Sequence, residues 1–238
     1  PLAFNRAKLY SGKALDFDGV NDSVDLDGFT MSGNTGTFTF NFYSETNNSF
    51  RYLFDAEGGS RFIIGLGNVA GEIQLYDGAF KSVFVPKQNT WINFVVSVNE
   101  TIASCYVNGK HEIDVTISPI DLSSTTNVAV GSRSDGTTSF WSGQIAGFKI
   151  FNTALTAAQV ADLYNNPEKV VPTGVDNTAL KLWLPMMEGA GTTAYDGSGN
   201  GNHGTISGAT YVNGVGSPVA QSAVMDWNKG TNNLIKTD

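Results

Sequence analysis

FWSGQIAGFKIFNTALTAAQVADLY, residues 140–164, joins a strand pattern directly to a helix pattern. The strand pattern is QIAGFKIFN, and the helix pattern begins at Thr156, which is followed three residues later by Gln159. This spacing is a capping box, in which two side chains satisfy backbone N–H groups that the helix leaves unpaired. Pro167 ends the pattern. The stretch therefore predicts one short α-helix near residues 156–165.

Short strands account for most of the remaining sequence. In TFTFNFYS, Phe38, Phe40 and Phe42 alternate with polar residues, as in a strand with one buried face. The pair Asn108-Gly109 is typical of a two-residue hairpin, because both residues tolerate positive φ. Turn signals recur about every 8 to 12 residues, which is typical of a sandwich. We predict an all-β fold, a two-sheet antiparallel jelly-roll sandwich with this one helix.

The composition excludes several classes of protein. Hydrophobic residues make up 41% of the 238 residues, which favours a folded chain over a disordered one. The formal net charge of −8 argues against nucleic acid as a partner, because phosphate binding needs clustered Lys and Arg. Cys105 is the single cysteine of the sequence, so no internal disulfide can form. No apolar run reaches the roughly 18 to 20 residues of a membrane span, so we expect no membrane insertion.

Three segments, in this order, resemble the concanavalin A-like, laminin-G-like jelly rolls. They are ALDFDGVNDSVDL (14–26), WINFVVSVNETIASCYVNGK (91–110) and the opening stretch (140–164). The resemblance covers residues 14–166 and implies two curved antiparallel sheets packed face to face. It implies carbohydrate binding or protein adhesion, and in some branches glycoside hydrolysis, so the fold alone does not fix the function.

A stretch that resembles the start of such a module stands here after the helix, at Leu180–Val212. It either opens a second module or supplies missing strands to the first. We favour the second interpretation, because a lone half-module would expose apolar residues such as Trp183. Trp183 is then expected to pack with Phe38 and Phe40. The predicted division is a jelly-roll core at 1–166, a linker at 167–179, closing strands at 180–212 and a peripheral tail at 213–238.

The motif EIDVTI, residues 112–117, tests the hydrolase branch. It is similar to the E-I-D motif of glycoside hydrolases that share this jelly roll, which carry a second Glu about two residues later. Alternate strand positions would place Glu112 and Asp114 on one face. Thr116 and Ile117 stand where the second Glu would be, so the two-carboxylate mechanism lacks a carboxylate. We expect no catalytic residue and no enzymatic activity.

Three stretches bear on the question of a metal ion. YDGSGNGNHG, residues 195–204, begins like an EF-hand loop, but Ser207 stands where the bidentate Glu should be, so we interpret it as a strand connection. In GQIAGFKIF, Ala146 and Gly147 replace acids that the resemblance implies for a calcium site. Near the first strand, oxygen donors could hold a structural Ca²⁺ or form turns, and both interpretations are open. These donors are Asp16, Asp18, Asn21 and Asp22.

A sugar site needs aromatic faces for stacking and polar side chains for hydroxyl groups. Three loops offer both: SDGTTSFWSG, QLYDGAF and SETNNSFRY. The same aromatic residues could instead pack in the core, and the sequence does not decide. The candidate ligand-binding residues are Trp141, Phe140, Asp135, Tyr76, Asp77, Tyr52 and Asn48.

The main hypothesis is a non-catalytic recognition module that binds carbohydrate or a host or cell surface. The arrangement, including AVMDWNKGTNNLI, also resembles modules of phage virion and tail-associated proteins, so we expect an extracellular or virion-surface location. The alternative is a structural module that contacts other virion subunits and has no sugar site; a homo-oligomer is also open. Exposure of Trp141, Tyr76 and Tyr52 on one face would favour sugar binding, and their burial would favour the alternative. A glycoside hydrolase is the third hypothesis.

Overall fold

The computed structural model describes residues 13–213, and these form two antiparallel β-sheets with one short α-helix. The predicted fold class is confirmed. Within this part of the chain, no helix has both the length and the apolar character needed to cross a membrane. The strands are β1 (Lys13–Asp18), β2 (Ser23–Asp25), β3 (Thr35–Ser44), β4 (Arg51–Glu57), β5 (Phe62–Leu66), β6 (Ile73–Tyr76), β7 (Phe80–Phe84), β8 (Trp91–Asn99), β9 (Ile102–Val107), β10 (Lys110–Thr116), β11 (Asn127–Val130), β12 (Ser142–Phe151), β13 (Leu180–Leu184), β14 (Thr193–Ala194), β15 (Gly204–Ser207) and β16 (Thr210–Asn213).

The first sheet has the strand order β10-β9-β8-β3-β12-β1-β16, and the second has the order β14-β15-β2-β11-β4-β5-β6-β7. The long strand β12 organises the first sheet, because β3 pairs along one side of it. On its other side, β1 pairs with the first part of β12 and β13 pairs with the second part. The segment after the helix therefore lies within the same two sheets as the segment before it.

Phenylalanines from both sheets fill the space between them. Phe38, Phe40 and Phe42 of β3 are fully buried, as their alternation with polar residues predicts. The ring of Phe40 stacks on Phe148 at 4.7 Å, and Phe38 lies 5.2 Å from Phe54 of the facing sheet. Each such side chain contributes about 1.5 to 3 kcal/mol by leaving water, so this layer dominates the stability of the sandwich.

Strand β13 contributes to this core with its alternate residues. Leu182 and Leu184 are fully buried in the same cluster as Phe38 and Phe40. Trp183 lies on the opposite face of the strand, where it packs half-buried in a second cluster. The expectation that Trp183 shares the core of Phe38 and Phe40 is therefore wrong, because successive strand residues point to opposite faces of a sheet.

The helix α1 (Ala157–Asn165) covers the outer face of the first sheet. Its capping box is present as predicted: Thr156 accepts a hydrogen bond from the Gln159 N–H, and Gln159 accepts one from the Thr156 N–H at 2.9 Å. Val160 is its fully buried residue. Residues 167–179 fold back over the helix, and Lys169 donates to Asp162 at 2.8 Å. The predicted tail at 213–238, with AVMDWNKGTNNLI, lies outside the described residues apart from Asn213.

Candidate functional site

The loop 131–140 lies over the outer face of the second sheet. Asp55 of β4 is fully buried beneath it and accepts hydrogen bonds from Arg61 Nε at 3.0 Å and from the Ser134 N–H at 2.9 Å. The Tyr52 N–H donates to the Ser139 carbonyl at 3.0 Å. A buried carboxylate with several donors anchors a loop strongly, since losing them would leave an unpaired charge. The loop is therefore a fixed part of this surface.

Two of the predicted sugar-stacking residues are buried by this arrangement. Trp141 has no exposed surface; its ring meets Phe42 edge-on at 5.5 Å, and its Nε1 donates to the Tyr43 carbonyl at 3.3 Å. Tyr52 is 6% exposed, and burial raises the pKa of its hydroxyl. Phe140 is half-buried. The expectation that Trp141 and Tyr52 present their rings to a ligand is wrong, because the chain turns Trp141 into the core one residue before β12 begins.

A partly exposed aromatic surface lies instead at the β6–β7 edge of the same sheet. The rings of Tyr76 and Phe80 are 4.9 Å apart, and Phe80 lies 5.9 Å from Phe50. Phe50 is 47% exposed. We call Phe50, Tyr76 and Phe80 the aromatic platform. It joins two of the loops singled out from the sequence, SETNNSFRY and QLYDGAF, and Phe50 is the residue that the sequence prediction missed.

The backbone of Phe50 is in an unusual conformation. Its φ of 58° lies in the left-handed region, which bulky residues adopt rarely and at a cost of about 1 to 2 kcal/mol. The Phe50 N–H donates to the Gly67 carbonyl at 2.9 Å, and this contact holds the turn in place. The fold thus maintains a strained backbone and an exposed phenyl ring at one position. Such strain is typical of functional sites.

Hydrogen-bonding groups around the platform are left unused. The structure gives the Tyr76 hydroxyl no hydrogen-bond partner within residues 13–213. Asn48 is exposed, and the neighbouring Asn47 Oδ1 is buried without a partner in the described chain. A ligand at the platform could therefore reach the Tyr76 hydroxyl and the exposed Asn48 amide, whereas Asn47 Oδ1 is enclosed by the protein.

Asp77, another predicted ligand-binding residue, is held by the protein itself. Its carboxylate accepts hydrogen bonds from the Lys81 ammonium and the Ser118 N–H. Burial alone would raise the pKa of Asp77, but these hydrogen bonds outweigh it and lower the pKa. Asp77 is therefore ionised and anchors the turn beside the platform, rather than presenting a free carboxylate.

Asp135 lies in a different place from the platform. It borders a groove of about 260 Å³ at the β15–β2–β11 part of the second sheet, which also contains Asp25 and Asp27. Asp135 accepts from Thr137, and its carboxylate lies 2.9 Å from Arg133 Nε. The groove is acidic and has no aromatic lining residue. Of the predicted ligand-binding residues, Tyr76 therefore belongs to the platform and Asp135 to the groove, while Trp141 and Tyr52 belong to neither.

Three of the four candidate calcium ligands lie in or next to the turn after β1, whereas Asp16 lies within β1, paired with Gln144. Asp22 is buried, and its carboxylate accepts the Asp18 N–H at 2.7 Å. Burial raises the pKa of Asp22, and the charges of Asp18 and Asp16 raise it further. Asp18 accepts the Val20 N–H at 2.7 Å, and Asn21 is exposed. Across residues 13–213, no three His, Cys, Asp or Glu side chains converge as metal ligands would, so the calcium ion stays a prediction.

The loop that resembled an EF-hand is a closed hydrogen-bonded turn. Asp196 accepts the N–H groups of Trp183 at 3.0 Å, Ser198 at 2.9 Å and Asn202 at 3.0 Å. Although burial raises the pKa of Asp196, these bonds outweigh it and lower the pKa. Asn200 donates to the Leu180 carbonyl at 2.9 Å. The side chains that could bind an ion thus fix the loop to β13.

The hydrolase motif lies on an outer strand of the first sheet. A β-bulge between His111 and Ile113 interrupts the alternation of β10, so Glu112 and Asp114 do not share a face by simple alternation as expected. Asp114 is exposed, and a hydrogen bond from His111 at 2.8 Å lowers its pKa. A general acid needs a raised pKa, so the environment of Asp114 is opposite to that of a glycosidase acid.

Comparison with known proteins identifies the family to which this chain belongs. The family model described as the concanavalin A-like lectin/glucanases superfamily matches residues 18–161, and the chain belongs to that superfamily. No curated protein matches the chain.

Solved structures share the fold at low sequence identity. A candidate carbohydrate-binding protein from Bacteroides ovatus is 19% identical with a TM-score of 0.63, covering 85% of this chain and 60% of that protein. Domain 4 of an extracellular arabinanase from Geobacillus stearothermophilus, in complex with arabinotriose, is 19% identical with a TM-score of 0.51, covering 60% and 72%. The CBM40 module of a Ruminococcus gnavus IT-sialidase, bound to α2,3-sialyllactose, is 11% identical with a TM-score of 0.50, covering 63% and 96%. The chain spans 60% of the length of the Bacteroides protein.

Proposed function

We propose that this chain is a non-catalytic recognition module that binds carbohydrate through the aromatic platform. The observation that carries the proposal is Phe50, a residue that is 47% exposed and has a left-handed backbone, with Phe80 and Tyr76 next to it. Aromatic faces stack on the C–H groups of sugar rings, and such contacts need neither a metal nor a charge. A strained residue that holds a ring in water is difficult to explain by folding alone.

The polar groups around the platform support the same ligand. Sugar hydroxyl groups donate and accept hydrogen bonds, and the Tyr76 hydroxyl and the exposed amide of Asn48 can do both. The names of the structural relatives point in the same direction, since one is a candidate carbohydrate-binding protein and two are bound to oligosaccharides.

A glycan array followed by calorimetric titration tests the proposal. Each of the variants Phe50→Ala, Tyr76→Ala and Phe80→Ala is expected to weaken binding of the best array ligand by about 10-fold, which is about 1.4 kcal/mol. The matched control is Tyr195→Ala, because Tyr195 is 56% exposed but lies in the loop 195–203. Repeating the array with a calcium chelator tests the predicted calcium ion.

Two outcomes would reject the proposal. One is an array on which no glycan binds the wild-type protein. The other is an equal loss of affinity in Tyr195→Ala and the platform variants, which would show that the contact is not specific to this surface. Assays with β-glucans test the non-catalytic assignment, and the expected result is no hydrolysis.

The biological setting that we propose is a phage or surface-displayed protein, extracellular or on the virion surface. It is supported by the order of the sequence segments, with the module-start stretch after the helix. Detection of the protein on purified virions or on intact cells by mass spectrometry tests it. Its absence from both would contradict this setting.

The alternative, a structural module without a sugar site, has one observation in its favour. Trp141 and Tyr52 are buried, and β10 exposes Ile113 at the edge of its sheet, where another subunit could pair. A flat glycan array together with a stable homo-oligomer in light scattering would favour this function. A monomeric protein that binds glycans would contradict this alternative function.

A further inference from the structure

The size of the aromatic platform limits what it can contact. The centroid of the Phe80 ring lies 4.9 Å from that of Tyr76 and 5.9 Å from that of Phe50. No further aromatic ring of residues 13–213 packs against these three. Since a sugar ring is close in size to a phenyl ring, the platform can stack on two or three sugar units at most.

Buried residues and a sheet edge set the limits of the platform. Tyr76 and Phe80 form a cross-strand pair of β6 and β7, and β7 is the last strand of its sheet. On the inner side, Tyr76 pairs with Ile63, which is 2% exposed. Along the strands, the next pair on the same face is Gln74 with Ser82, and Gln74 is also buried. Additional sugar units would therefore meet no further exposed ring along these strands.

The three rings do not share a plane. The planes of Tyr76 and Phe80 are inclined by 56°, and those of Phe50 and Phe80 by 66°. A flat surface, such as a face of a crystalline polysaccharide, can stack on several rings only when those rings are coplanar. A single glycan chain can meet inclined rings, because consecutive sugar units turn about the glycosidic bonds between them.

Gly67 lies at the centre of this arrangement. Its carbonyl accepts the Phe50 N–H at 2.9 Å. A Cβ atom at Gly67 would lie only 2.6 Å from Phe80 Cδ1 and closer still to Gln74 Oε1, so both side chains pack directly on the glycine. Gln74 is held in turn, because its Oε1 accepts the Val69 N–H at 3.3 Å. The inclination of the Phe80 ring is therefore set by a close contact with the backbone of the protein.

We infer that the aromatic platform recognises a short segment of a single glycan chain, two or three sugar units long, and does not bind flat polysaccharide surfaces. This inference rests on the proposed function and adds the class of ligand. The small span of the rings sets the length, and their inclination excludes a flat ligand. The Tyr76 hydroxyl and the exposed amide of Asn48 remain for the hydroxyl groups of the same segment.

Titration with glycans of increasing length tests the inference. The probes are malto-, laminari-, cello- and arabino-oligosaccharides of one to six units, together with shortened forms of the best array glycan. We expect affinity to rise up to two or three units and then to change by less than about 2-fold with each added unit. A steeper rise beyond three units would overturn the inference but leave the proposed function standing, as would retention on crystalline cellulose or chitin that Phe50→Ala abolishes. Binding of no probe and of no array glycan would instead reject the proposed function.

A pair of glycine variants tests whether the inclination of the rings matters. Gly67→Ala places a methyl group against the Phe80 ring, and Gly197→Ala places one against the Trp183 ring of the first sheet, also at 2.6 Å. We expect both variants to lose stability, whereas only Gly67→Ala should lose affinity for the three-unit probe, by about 5- to 10-fold. Unchanged affinity in Gly67→Ala, or an equal loss in both variants, would overturn the role given to the ring inclination. Melting curves establish that both variants are folded, and the length series on the wild-type protein decides the inference even where one of them is not.

Discussion

The loop 195–203 and the aromatic platform are both made of turns rich in Asn and aromatic residues, but they use their side chains in opposite ways. In the loop, Asp196 accepts three backbone N–H groups. Asn200 and Asn202 donate to the carbonyls of Leu180 and Lys181 in β13. At the platform, the Tyr76 hydroxyl has no partner in the described chain, and the side chain of Asn48 is exposed. The loop satisfies its own backbone, whereas the platform leaves its groups available.

The difference shows how to separate architecture from function in this fold. Composition alone pointed to the loop 195–203, because its oxygen-bearing residues stand at alternate positions. The structure uses those residues to fasten β13, so removing them should cost stability and leave binding unchanged. At the platform, substitutions should change binding and leave stability nearly unchanged. Stability and glycan affinity therefore have to be measured on the same variants.

Asp196→Ala is expected to give the largest effect on stability. The change leaves three backbone N–H groups and the Ser198 hydroxyl without their acceptor, so we expect the free energy of unfolding to fall by about 3 kcal/mol. Urea denaturation measures this fall, and glycan affinity at low temperature should stay within about 2-fold of wild type. The control is Asp121→Ala in an exposed turn, which should cost far less, because water replaces the lost contact. A fall below 1 kcal/mol for Asp196→Ala would show that the loop does not fasten β13.

Asp196→Asn tests, through the pH dependence of stability, whether the ionised Asp196 carboxylate stabilises the loop. The amide replaces one acceptor oxygen with a donor, which should cost about 1.5 kcal/mol at pH 7. The pKa of Asp196 is lowered in the folded protein, because hydrogen bonds to its carboxylate outweigh its burial. Its stabilising contribution is therefore present above the pKa of an unfolded Asp and is lost as pH falls through the lowered value. Urea titrations from pH 7 to pH 2.5 should show that the difference in free energy of unfolding between wild type and variant becomes smaller. A difference that stays constant would contradict an ionised Asp196.

The strained backbone of Phe50 is expected to change the free energy of unfolding by about 1 kcal/mol, depending on the residue that replaces it. Glycine adopts a φ of 58° freely, whereas alanine does not, so Phe50→Gly should be more stable than Phe50→Ala by about 1 kcal/mol. Both variants should lose the same affinity, because both lack the ring. Phe80 is the control, since it lies in β7 with a negative φ. At this position the alanine variant should be more stable than the glycine variant, because glycine weakens a strand. Alanine as the more stable residue at position 50 would show that the position is not strained.

The sequence predicts the parts of the structure that depend on local pattern. Alternation identifies the buried residues of β3, and the Thr156–Gln159 capping box identifies the helix, because both signals act over a few residues. The sequence leaves the environment of Trp141 open, and the prediction for Trp183 is wrong, since both environments depend on where β12 and β13 begin and pair. That register is set by contacts between distant segments.

The platform was predicted only in part, for a related reason. Tyr76 and Phe80 follow from a turn with aromatic residues, but the position of Phe50 depends on a hydrogen bond to Gly67 across two strands. A left-handed phenylalanine contradicts local propensity, so no local pattern indicates it. A phenylalanine in the polar run TNNSF was the one available signal. Exceptions to local rules are expected where function, rather than folding, selects the residue.

Tyr76→Phe is the smallest change and the most direct test of the contrast. It removes a hydroxyl that has no partner in the described chain, so the free energy of unfolding should change by less than about 0.5 kcal/mol. If that hydroxyl bonds to a sugar, affinity should fall about 5-fold, which corresponds to one net hydrogen bond. Tyr211→Phe is the matched control, because the Tyr211 hydroxyl donates to Glu188 at 2.9 Å. It should lose about 1 kcal/mol of stability and no affinity. If the affinity of Tyr76→Phe is as unchanged as that of Tyr211→Phe, the free hydroxyl of the platform contributes nothing to binding, and the sugar is held by stacking alone.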